Sequence, residues 1–81
     1  MEKRVQHYTQ DILAVVRSNT SPAAMSDKLG DFHANDIADA MPRLTVQERC
    51  KLYRILELDM LSDIFEYTDS DNAAEYVKEM D

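Results

Sequence analysis

The residues of this chain best suited to chemistry are carboxylates in its last third. Asp59, Asp63 and Glu66 stand at i, i+4 and i+7, and Asp71, Glu75 and Glu79 at i, i+4 and i+8. At about 100° per residue each set falls on one side of a helix, opposite an apolar stripe. Like charges at i,i+4 destabilise a helix by roughly a few tenths of a kcal/mol, which a bound cation or a basic partner would remove. An oxygen-only donor set suits Mg2+ or Ca2+ rather than zinc. The plainer reading is a pair of solvated helix faces. No D-x-D-x-D-G loop is present, which excludes an EF-hand. His7 and His33 have no Cys or His at ligand spacing and read as a surface residue and a helix-start residue. With a single glycine, phosphate loops and dinucleotide fingerprints are excluded, and nothing encloses a water-free pocket, so the chain is expected not to be an enzyme.

Six helices are expected to position these residues. The first runs from about Arg4 to Arg17 with Val5, Tyr8, Ile12 and Val15/Val16 inward. Ser21 caps the second and Pro22 occupies its first position, where a missing N–H is harmless. Met25, Leu29 and Phe32 face the core, and Gly30 is its C-cap. His33 starts the third helix, with Ile37, Ala40, Met41 and Leu44 on one face. Pro42 should end or kink it. Thr45 and Glu48 form a capping box at the start of the fourth, whose stripe is Val46, Cys50, Tyr53 and Ile55/Leu56. Leu58 to Tyr67 is the fifth, with Leu61, Ile64 and Phe65 inward. Asp69 caps the sixth, Ser70 to Met80, with Ala73, Val77 and Met80 inward.

Asp36-Ile37-Ala38-Asp39 and Asp63-Ile64-Phe65-Glu66 are near-copies, each followed by a cap residue and another helix. Such repetition points to an all-α fold of about six short helices in a right-handed, armadillo-like superhelical stack. Tyr76, Val77 and Met80 would leave an apolar stripe uncovered at the end of the stack, so the chain is expected to be a piece of a longer protein or to dimerise there.

Composition agrees. One Gly and two Pro among 81 residues leave little material for β-turns. The chain reads as one small domain that can bury only roughly 60% of its unfolded surface. The longest apolar run, Ile12 to Val16, is far short of a membrane span and of a signal-peptide core. Cys50 has no partner for an internal disulfide, suits a reducing compartment, and reads as a small buried hydrophobe. Net charge is −7 and unevenly placed. Residues 1–54 hold eight basic and seven acidic residues, whereas 55–81 hold nine acids against Lys78 alone, a balance of −8. That surface repels nucleic acid and anionic lipid and attracts cations or a basic partner.

The order of motifs carries a resemblance. His33, Asp36-Ile37-Ala38-Asp39, the Leu44-Thr45 break, Glu48-Arg49 and Leu56 are followed by Leu61-Ser62-Asp63-Ile64-Phe65 and Ala74-Glu75-Tyr76-Val77-Lys78. From about Tyr8 to Met80 the chain resembles the cytoplasmic N-terminal domain of MgtE-type magnesium transporters. That family is homodimeric, and its helical N domain is followed by paired CBS modules and a membrane domain. The resemblance implies that residues 1–81 form a single helical domain, a fragment of the N-terminal domain without its CBS and membrane parts. It implies a regulatory role at the cytoplasmic face of the membrane, with Mg2+ bridging acids of this domain to the CBS module and so closing the pore. Asp63 matches the family's acid, with Asp36 and Asp39 as further candidates and Asp59 and Glu66 as geometric neighbours. Weak Mg2+ affinity in isolation, no nucleic-acid partner and no membrane insertion of this segment are expected. The alternative is an ion-independent helical-repeat interaction module, like those of the flagellar rotor switch protein.

Overall fold

The structure, a computed structural model, describes residues 8–80, and all regular structure among them is helical. Helix α1 spans Tyr8–Arg17, α2 Pro22–Leu29, α3 Ala34–Ala40, α4 Val46–Ile55, α5 Leu58–Glu66 and α6 Ser70–Glu79, with a 3-10 turn at Met41–Arg43 after α3. The expected helix start at Arg4 and the inward Val5 lie outside the described residues.

Local chemistry sets the boundaries. Ser21 Oγ accepts from the Ala24 amide at 3.2 Å at the start of α2, with Pro22 at its first position. At α4 the capping box is complete, for Glu48 N–H donates to Thr45 Oγ1 at 3.1 Å and Thr45 N–H to Glu48 Oε1 at 2.8 Å. Asp69 accepts from the Asn72 amide at the start of α6. Pro42 has no N–H to continue the α3 ladder, so the chain tightens into the 3-10 turn there.

The odd-numbered helices form one row, α1 on α3 and α3 on α5, while α2 packs against α4 and α1 touches both. This is the neighbour order of stacked helical pairs. Ile12, Val16, Met25, Leu29, Ile37, Met41, Leu52 and Ile64 are wholly buried. Ile37 and Ile64 hold the same place in the two near-copies, and their helices pack on each other.

Three expected stripes are rotated or incomplete. In α1, Ile12, Leu13 and Val16 are buried, while Tyr8 is half-exposed and only meets the Phe32 ring edge-on. In α4 the core residue is Leu52, and Val46 is 51% exposed. Cys50 and Tyr53 do leave solvent in part, but they turn toward α6, where Cys50 Sγ and Tyr53 Oη both reach Glu79. A helix with neighbours on two sides has two stripes, and the expected one was the second. In α6 the buried residue is Tyr76, whereas Val77 and Met80 are 54% and 43% exposed. The helix is turned by one residue position because Tyr76 and Glu79, not Val77, meet α4.

This assignment is testable by thermal or urea unfolding. Leu52→Ala should cost about 2–5 kcal/mol, as truncation of a fully buried leucine does, while Val46→Ala should stay within about 0.5 kcal/mol. Equal losses would mean that α4 faces the core with the wrong side.

Candidate functional site

The third and fifth helices bring part of the acidic set together. Asp36 from the first turn of α3 and Asp63 and Glu66 from the second half of α5 line one open cleft of about 500 Å³, with His33, Asn35 and Tyr67. Asp36 and Asp63 hold equivalent places in the two near-copies, whose helices pack on each other. Asp63 and Glu66 are exposed and Asp36 half-buried. Asp39 and Asp59 are exposed residues one turn away on the same helices and do not line the cleft.

The donor set is oxygen-rich, three carboxylates and the Asn35 amide. Hard cations such as Mg2+ take such oxygens, and Mg2+ keeps several waters in its shell. Among the described residues no three His, Cys, Asp or Glu side chains converge closely enough to hold an ion on their own.

The second polar constellation was not foreseen. Arg49 of α4 grips Glu79 with both arms of its guanidinium, Nε to Oε1 at 2.9 Å and Nη2 to Oε2 at 2.7 Å. Tyr53 Oη donates to the same carboxylate at 2.7 Å. Arg49 Nη1 donates to the carbonyls of Met41 and Leu44, at 2.9 and 2.7 Å, and its charge lies 5.1 Å from the centre of the Tyr76 ring. Glu79 therefore does not belong to a solvated acidic face with Asp71 and Glu75. A sequence signal existed in Arg49 and Tyr53, one turn apart on α4, but their partner lies 30 residues on. The Tyr76 hydroxyl is buried with no hydrogen-bond partner among the described residues.

Beside Arg49, in the first turn of α4, Glu48 Oε2 meets Arg17 Nε at 2.8 Å, so Glu48 serves α1 and the cap of α4 together. Lys51 Nζ donates to the Val16 carbonyl at 3.0 Å, closing the C-terminus of α1 with a cation. The Arg17 hydrogen bond, followed by the Thr45 amide, lowers the Glu48 carboxyl from 4.5 to about 2. The Arg49 hydrogen bond, with help from Tyr53, holds Glu79 below the ordinary carboxylate range.

Both carboxyls are depressed in the folded state, so their stabilisation is complete above the unfolded value and fades as pH falls through the folded one. The melting temperature should drop from pH 5 toward pH 2, with the Glu48 contribution lost between 4.5 and about 2. Glu48→Gln and Glu79→Gln should each lower stability at neutral pH and flatten that slope. An unchanged slope in the double variant would assign the acid sensitivity to other groups. Tyr76→Phe should keep the ring under Arg49 and remove the orphan hydroxyl, raising stability by about 1 kcal/mol in chemical unfolding. A loss of similar size would show that the hydroxyl is satisfied.

Among the described residues no helix is long and apolar enough to cross a membrane. No curated protein and no solved structure matches the chain. One family does, described as the MgtE intracellular N domain, over residues 32–81. The match begins at Phe32, takes in the α3–α5 cleft and the Arg49–Glu79 clasp, and leaves α1 and α2 outside. It covers 50 of the 81 residues, more than half the chain, and so the chain belongs to the MgtE intracellular N domain family, a family of magnesium-transporter domains.

Proposed function

We propose that this chain is the regulatory domain of a magnesium transporter, acting at the cytoplasmic face of the membrane. Mg2+ bound between the α3–α5 cleft and acids of a CBS module bridges the two surfaces and favours the closed pore. In the parent protein the domain would work beside a membrane domain, within a homodimer. The observation that supports this reading most directly is the shared cleft of Asp36, Asp63 and Glu66.

The physics is that of a divalent ion between like charges. Two acidic surfaces repel and separate when Mg2+ is scarce, and a hydrated ion between them reverses the sign of the interaction. Asp63 is the central ligand, since it lies in the cleft with Asp36 and Glu66. Asp36 and Glu66 flank it, while Asp39 and Asp59 extend the acidic field along α3 and α5. The cleft by itself gives an incomplete coordination shell, so affinity in the isolated chain should be weak and rise when the partner surface is present.

An amide-resolved NMR titration with Mg2+, against Na+ at matched ionic strength, tests this. Shifts should concentrate on Asn35, Asp36, Asp63, Glu66 and their neighbours. Asp63→Asn should abolish them while leaving the melting temperature unchanged or slightly raised, because it removes an Asp59–Asp63 repulsion worth roughly a few tenths of a kcal/mol. Identical shifts with Na+, or shifts that survive Asp63→Asn, would sink the assignment.

A further inference from the structure

On the face of α5 that carries Leu58, Leu61 and Phe65, an apolar groove of about 550 Å³ stands open. Met80, just after α6, forms its other wall, with Ser62 and Glu66 at the rim. Leu58 is 78% exposed, the most exposed large hydrophobic residue described, and Met80 is 43% exposed. Positions 58, 61, 62 and 65 are one helical face at i, i+3, i+4 and i+7, the register in which two helices interlock.

The charge around the groove selects what covers it. Residues 55–81 hold nine acids against Lys78. Glu66 is the acid at the groove's rim, and among the described residues it has no basic partner within salt-bridge distance. A second copy would press this surface against its own like, and such juxtaposition opposes association. We infer that the groove takes an amphipathic helix of basic character, whose apolar residues at i, i+3/i+4 and i+7 enter between Leu58, Phe65 and Met80 while Lys or Arg beside them meets Glu66 at the rim and the acidic surplus of residues 55–81. This is helix-in-groove recognition. The apolar floor supplies the contact, and the acidic border supplies orientation and selectivity. The groove binds without any ion in the α3–α5 cleft, so it stands or falls separately from the Mg2+ reading.

The test is an NMR titration of the 81-residue chain, free of divalent ions, with a synthetic Leu/Lys amphipathic helix of about 14 residues, roughly four turns. A scrambled peptide of the same composition and a Leu/Glu version with the same pattern are the controls. The patterned basic peptide should shift Leu58, Leu61, Phe65 and Met80 first and bind at least about tenfold more tightly than the scrambled one, a difference of about 1.4 kcal/mol. The Leu/Glu peptide should not bind. Leu58→Ser should weaken binding about tenfold, that is by about 1.4 kcal/mol, without moving the melting temperature, since Leu58 is mostly in solvent. Equal binding of the scrambled peptide, shifts spread over the acidic faces, or unchanged affinity in Leu58→Ser would overturn the proposal. So would a dimer of the chain alone in sedimentation that Leu58→Ser dissolves, for the groove would then belong to a second copy.

Discussion

The guanidinium of Arg49 is the interaction on which the far half of this molecule depends. Where Pro42 ends α3, Arg49 Nη1 donates to the Leu44 carbonyl and to the Met41 carbonyl, which also accepts from the Leu44 amide. The remaining arms hold Glu79 in a two-point bridge with both side chains largely buried, at 12% and 14% exposure. One side chain thus closes the turn after α3 and ties down α6, whose only wholly buried residue is Tyr76. Lysine could not do this, because the task needs several N–H donors in a fixed planar fork. A bridge this buried contributes little net free energy against an apolar alternative, but leaving either partner alone is strongly unfavourable. Its effect is to fix one position for α6 rather than to add much stability.

Its neighbour Glu48 does the complementary work. Glu48 caps α4 and pairs with Arg17, while Lys51, one turn further on, binds the last carbonyl region of α1. The first two turns of α4 are therefore a polar junction reaching α1 on one side and α6 on the other. A chain of this size has a thin core, and α6, which buries Tyr76, has few apolar neighbours within it. Directional hydrogen bonds to charged groups replace the missing burial there, each modest in net free energy yet specific in geometry.

What the sequence disclosed and withheld divides along the same line. Helix starts were legible because they are local, as Ser21, Thr45 with Glu48, Asp69 and the proline at 42 all show. The repeat of Asp-Ile pairs was legible, and its equivalent residues Asp36 and Asp63 do line one cleft, but which other acids join them there was not. Asp36 and Asp39 came from the resemblance and Asp59 and Glu66 from spacing, and neither ground says which cleft a residue lines, so Asp39 and Asp59 fall outside it. The rotation of α6 was not legible. A periodicity argument favours burying Val77 and Met80, but the decision was made by Arg49, whose partner Glu79 lies on another face and 30 residues away. Apolar pattern predicts orientation well where burial dominates, and poorly where one charged pair must be satisfied first.

Helix α5 carries two unlike surfaces, and Glu66 belongs to both, lining the acidic cleft and the rim of the apolar groove. The occupants proposed for them are both positive. A cation in the cleft reduces the field that draws a basic helix to the groove, and the helix reduces the field that draws the cation. At separations near a Debye length, roughly 8–10 Å, such coupling is on the order of 1 kcal/mol or less for each charge pair in solvent. Linkage requires the effect to be reciprocal, so each ligand weakens the other by the same factor. The sign follows from charge for the ion alone, before any acidic surface joins it. With both proposed occupants, such a domain would release a basic helix as divalent ions rise and recapture it as they fall, through Glu66, which lines both the cleft and the groove.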